Sequence, residues 1–123
     1  MADSPDEIME RLAAHLSRTY KGLALACLHL PVPITLDVTG ATNVTAIPAV
    51  RRIMDVTIDQ PMPEEHQANL FSVCAYWLGA MDLVGILATA EFHTARAHSA
   101  FACLLMADQV LLDLAGWLGS LDD

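Results

Sequence analysis

The chain has 123 residues, of which 54% are hydrophobic and 17% charged, and its formal net charge is −9. Six basic residues scattered among fifteen acidic ones would repel a phosphate backbone, so the composition argues against direct nucleic-acid binding. The acidic start Met1-Ala2-Asp3-Ser4-Pro5-Asp6-Glu7 is the opposite of a basic secretory leader, and Cys27, Cys74 and Cys103 lie in apolar stretches as free thiols would, so a cytoplasmic protein without a disulfide framework is expected.

Length points to one helical domain over residues 1–123. Ser4-Pro5-Asp6-Glu7 has the form of a capping box with proline at the first helical position. Ile8, Leu12, Leu16, Thr19, Leu23, Ala26 and Leu30 follow at spacings of three and four, which makes one continuous helical seam. Glu7, Arg11, His15 and Arg18 fall on the opposite side and are expected in solvent. Pro31 and Pro33 should end this helix near Leu30.

Residues 31–62 differ in kind. Ile34-Thr35-Leu36-Asp37-Val38 alternates apolar and polar side chains and reads as a short strand. Thr39-Gly40-Ala41-Thr42-Asn43 has turn chemistry, and Val44-Thr45-Ala46-Ile47 returns as a second strand. A small β-hairpin excursion near residues 34–47 is therefore expected, with Pro48 opening a short helix from Ala49 to about Val56.

From Glu64 to about Leu118 the chain is helical in pattern, without proline and rich in Ala, Leu and Met. A helix of that length must fold back. Breaks fit at Gly79–Asp82, where Asp82 would cap the next helix, and at Thr89–Thr94; the expected pair is 64–78 and 82–118, with room for an interruption near Ser99. The last helix shows an apolar seam of Phe101, Leu104, Leu105, Leu111, Leu112, Leu114 and Leu118, opposite Glu91, His98, Gln109, Asp113 and Gly116. Residues 70–90 are apolar enough to span a bilayer. However, a central Asp82 costs about 2.5–3.5 kcal/mol there, and Glu65, Asn69, Ser72, Tyr76, Gly79 and Asp82 form a narrow polar or small stripe, so no membrane span is expected.

The chemistry-bearing residues are sparse. Glu91, His93, Arg96 and His98 fall within two turns, but the imidazoles lack the i, i+4 pairing of a helical zinc site, so no metal and no cofactor are expected. Cys27 and His29 are two apart and do not face each other on a helix. No phosphate loop, dinucleotide fingerprint or nucleophile elbow is present.

Charge is divided unevenly. Residues 1–52 carry five acidic and five basic side chains; residues 53–123 carry ten acidic ones against Arg96 alone. The most apolar part of the chain is therefore also the acidic part. The expected architecture is a mainly α bundle of three to four helices with the small extended excursion. The expected function is a small acidic, non-enzymatic interaction module, an adaptor or an inhibitor of a larger basic partner; phage-type anti-defence proteins share this profile by composition alone. The candidate partner-binding residues are Asp55, Asp59, Glu64, Glu65 and Glu91, with Trp77 and Trp117 as anchors if exposed; Asp108, Asp113, Asp122 and Asp123 extend the acidic set. Excess apolar composition also predicts a homodimer, with the C-terminal helices in contact. The alternative function is a small enzyme or ligand-binding bundle with Asp82, Tyr76 and His93 near a pocket.

Overall fold

The Ser4 hydroxyl accepts a hydrogen bond from the Glu7 amide at 3.2 Å. With Pro5 in the first turn it starts α1, Pro5–Leu28, in a computed structural model that describes residues 4–38 and 43–121. The predicted seam is the buried one: Leu12, Leu16, Thr19, Leu23, Ala26 and Leu30 are all inside. His15 departs from expectation, because it is buried rather than solvated.

The hairpin is not formed. Among the described residues there is no strand, and Asn43–Val56 is a helix, α2, with Pro48 inside it. The reason is visible in what is buried. Ala46, Val50, Ile53 and Thr57 sit at spacings of four, three and four and all lie inside, so packing on the bundle overrides the β preference of Thr45 and Ile47. The expected turn at residues 39–42 lies outside the described residues. Residues 33–38 run extended without a ladder and are strapped down individually instead. The Ile34 amide donates to the Cys27 carbonyl at 2.9 Å, and the Tyr20 hydroxyl donates to the Asp37 carbonyl at 3.1 Å.

A single 3-10 turn, Thr57–Asp59, follows α2. Then come α3, Glu64–Thr89, and α4, Thr94–Ser120. The chain breaks at Ala90-Glu91-Phe92-His93, inside the second of the two expected breaks, Thr89–Thr94, and not at Gly79–Asp82, so the favoured pair 64–78 and 82–118 is not formed. Asp82 caps nothing: it lies mid-helix with its side chain in solvent. Gly79 is no breaker either, since a Cβ there would meet Cys103 Sγ at 3.9 Å, an ordinary packing contact between two paired helices.

α3 and α4 pair antiparallel, as the stacking of His66 near the start of α3 on Trp117 near the end of α4 shows. α1 lies on both, and α2 packs on α3. Gly22 lets α1 approach α4 closely, because a Cβ there would lie 3.0 Å from Leu111 Cδ2. One core, including Leu12, Leu23, Ile53, Leu70, Leu104 and Leu114, joins all four helices. Both α3 and α4 are long and apolar enough to cross a membrane by length and composition. They differ in cover: 39% of the most apolar stretch of α3 is buried in the bundle, but only 22% of that of α4. The expected α4 seam is accordingly wrong in part. Ala97, Ala100, Leu104, Ala107, Leu114 and Leu118 face inward, whereas Leu105 and Leu112 point outward.

Candidate docking corner

Two elements meet where the 3-10 turn joins the start of α3, and side chains fasten them. Gln67 Nε2 donates to the carbonyls of Ile58 at 3.2 Å and Gln60 at 3.0 Å. Gln60 is itself buried and clasps the loop after α1: its Nε2 donates to the Val32 carbonyl at 2.8 Å, and its Oε1 accepts from the Val32 amide at 3.0 Å. Thr57 Oγ1 donates to the Ile53 carbonyl at 2.6 Å and ends α2. The backbone of the turn is therefore held on three sides.

On that fixed backbone Ile58 is 78% exposed, the most exposed large hydrophobic side chain among the described residues, and Phe71 is also exposed nearby. Ile58 and Phe71 line a cleft of about 300 Å³ with Met54, Thr57, Glu64, Gln67 and Ala68. On the other side of the turn a more enclosed apolar cavity of about 360 Å³ lies under Val32, Ile34, Leu36, Ile53 and Val56, with Arg52, Asp59 and Gln60 among its polar lining. The exposed carboxylates of Asp55 and Asp59 flank Ile58 in sequence, and those of Glu64 and Glu65 open α3. Of these four carboxylates, Glu64 lines the cleft with Ile58 and Phe71, and Asp59 lines the neighbouring cavity together with Arg52. Acidic residues in the first turn of α3 also complement the positive end of its helix dipole, so Glu64 and Glu65 fit their places structurally as well.

The other sequence candidates are dispersed. Glu91 is exposed in the connection between α3 and α4, at the opposite end of the hairpin. Trp77 is 2% exposed, its indole N–H donates to the Leu16 carbonyl at 3.0 Å, and its ring lies 5.7 Å from that of Tyr20; it holds α3 to α1 and offers no anchor. Trp117 is half-buried, stacked on His66 with ring centroids 4.1 Å apart. Asp113 is exposed on α4. Asp108, expected in the acidic face, turns toward α1, where its carboxylate takes a 2.6 Å contact from His15 Nε2 and a 2.7 Å hydrogen bond from Thr19 Oγ1. Asp122 and Asp123 lie outside the described residues.

The alternative trio does not converge. His93 lines a shallow cleft with Leu83, Ala95, Arg96 and Ser99, and neither Asp82 nor Tyr76 is in that lining. Among the described residues no group of three His, Cys, Asp or Glu side chains could hold a metal ion. Cys27, Cys74 and Cys103 are free, the first two buried. Burial pushes the Cys27 thiol up to about 12 and Cys74 higher still, which suits neutral packing groups and not nucleophiles. The feature sequence reasoning missed is Ile58: a lone isoleucine between prolines gives no periodic signal, and only the geometry of the turn shows it outside.

No protein-family model matches the chain, no curated protein matches it, and no solved structure matches it.

Proposed function

We propose that this protein is a small acidic interaction module, an adaptor or inhibitor, that docks a basic protein partner on the corner formed by α2, the 3-10 turn and the start of α3. The observation that carries this reading is Ile58, 78% exposed on a backbone pinned by Gln67. An isolated exposed apolar residue is ordinary. One held on a hydrogen-bonded turn, beside a second exposed ring, with Glu64 lining the same cleft and Asp55, Asp59 and Glu65 close by in sequence, has the anatomy of an interface: an apolar anchor near charges that steer encounter. Pre-organisation supports it further, since a held turn loses little freedom on binding. The partner that fits presents one or two apolar side chains flanked by Lys or Arg. Binding takes place in the cytoplasm.

The test is capture from the native host at low and high salt with the wild type, with Glu64→Lys/Glu65→Lys and with Ile58→Asp. Steering between exposed charges is screened beyond about 8 Å at physiological ionic strength. The reading expects a basic partner whose association slows with salt and in the charge-reversed variant, and whose complex dissociates faster with Ile58→Asp. Capture of the same partner at equal rates by all three proteins contradicts it.

A further inference from the structure

α4 carries a heptad-spaced seam on each side, apolar on the inside and mixed apolar, small and polar on the outside. The inner one, Ala97, Ala100, Leu104, Ala107, Leu111, Leu114 and Leu118, packs on the other helices. The outer one is Ala95, His98, Ala102, Leu105, Gln109, Leu112, Gly116 and Gly119, and every one of these eight is exposed. Both repeat at alternating three and four residues, the 3.5-residue period by which helices interlock along their length. Leu105 is 59% exposed and Leu112 is 71% exposed, with the exposed Met106 beside them. Gly116 and Gly119 have nothing within 4 Å of where a Cβ would stand, so the fold of one chain gives no reason for glycine in a helix that glycine weakens.

We infer that the outer face of α4 is where a second copy of this chain binds, α4 against α4, antiparallel about a two-fold axis near residue 107. In that register Ala95 meets Gly119 of the second copy, His98 meets Gly116, Ala102 meets Leu112 and Leu105 meets Gln109. All eight positions are used, and Leu112, Leu105 and His98 each meet a smaller or a flexible side chain. Glycines at two layers let the helices approach.

Charge favours a second copy over the basic partner proposed for the corner. Over 94–120 the charged residues are Arg96, Asp108 and Asp113, and Asp108, its side chain 37% exposed, is bonded to His15 and Thr19. A second copy docked there brings two carboxylates and one guanidinium along this helix, a small part of the net charge of −9. The same register sets Asp113 within one turn of His98 of the second copy, an attractive pairing when the imidazole is protonated. From 95 to 119 the seam runs roughly 36 Å. A stable interface buries about 1,200–2,000 Å² in total, and a single helix pair of this length falls near the lower end, which predicts a reversible dimer.

Sedimentation equilibrium from 5 to 200 µM tests this. The wild type is expected to be dimeric at tens of micromolar, and Leu105→Glu/Leu112→Glu to be monomeric with unchanged helical circular dichroism. Gly116→Leu, whose Cβ has nothing within 4 Å in one copy, is a second variant and should weaken the dimer at least tenfold. A control at the exposed Leu28, Leu28→Glu, should leave it intact. A wild-type monomer at 200 µM overturns the inference, as does a dimer that survives both seam variants. Flotation with phosphatidylcholine vesicles that the seam variants abolish would assign the face to lipid and overturn it too.

Discussion

Two regions treat their awkward side chains in opposite ways. Where α1 lies on the α3–α4 hairpin, polar groups are buried and each finds a partner: the Trp77 indole on the Leu16 carbonyl, His15 and Thr19 on the two oxygens of Asp108. At the corner around Thr57–Asp59, the side chains of Thr57, Gln60 and Gln67 bond backbone carbonyls and the Val32 amide, and the side chain left over is the apolar Ile58, held in water. The first region spends its chemistry on joining the chain to itself. The second fixes a surface and leaves it incomplete. Stability and binding should therefore be separable, and substitutions can show whether they are.

The largest effect belongs to the interior. Trp77→Ala removes a ring with 2% exposure together with its hydrogen bond, and should destabilise the fold by about 3–5 kcal/mol, read by urea unfolding. Asp108→Ala comes next. It strands His15 and Thr19 without their acceptor and should cost about 2 kcal/mol, with Asp108→Asn costing less because an amide oxygen can still accept from Thr19. If Asp108→Ala unfolds at the same urea concentration as the wild type, the α1–α4 contact is held by apolar packing alone.

A third expectation concerns the buried thiols. Burial raises the folded Cys27 thiol from 9.0 to about 12, so below pH 9 it is protonated whether folded or not and its contribution to stability is complete. As pH rises above 9 the unfolded chain ionises and the folded one does not. Stability then falls by about 1.4 kcal/mol per pH unit for each such group until the folded thiol ionises too. Cys74, and Tyr20 through desolvation and then the charge of Asp37, shift the same way. Melting curves from pH 7 to 11 should be flat at first and then drop. Thiol labelling at pH 8 should reach Cys103 well before Cys27 and Cys74.

The same contrast explains what could be read from the sequence. α1 was legible to its first hydrogen bond, because the Ser4–Glu7 capping box and the Leu12–Leu16–Leu23 spacing are local signals. α2 was not, because Thr45 and Ile47 favour strands locally and only burial of Ala46, Val50 and Ile53 on a neighbour decides otherwise. Asp82 looked like a cap because it interrupts an apolar run, yet its helix tolerates it with the side chain in solvent. His15 and Asp108 each look like surface residues alone; they satisfy one another across 93 positions, a match that periodicity cannot display. At the corner the cluster of acidic residues from Asp55 to Glu65 is visible as charge in the sequence, while the exposure of Ile58 required the path of the 3-10 turn.

Substitutions at the corner should leave the fold nearly untouched, within about 0.5 kcal/mol for an exposed site, so binding there can be read directly. The most direct measurement replaces Ile58 with a photo-crosslinking residue, places the same group at the exposed Leu28 as a control, and irradiates both proteins in the native host. The corner reading predicts a discrete adduct with a basic protein from position 58, absent from position 28 and lost when Glu64 and Glu65 are reversed to lysine. Equal adducts from both positions, or none from position 58 in a folded protein, would contradict it.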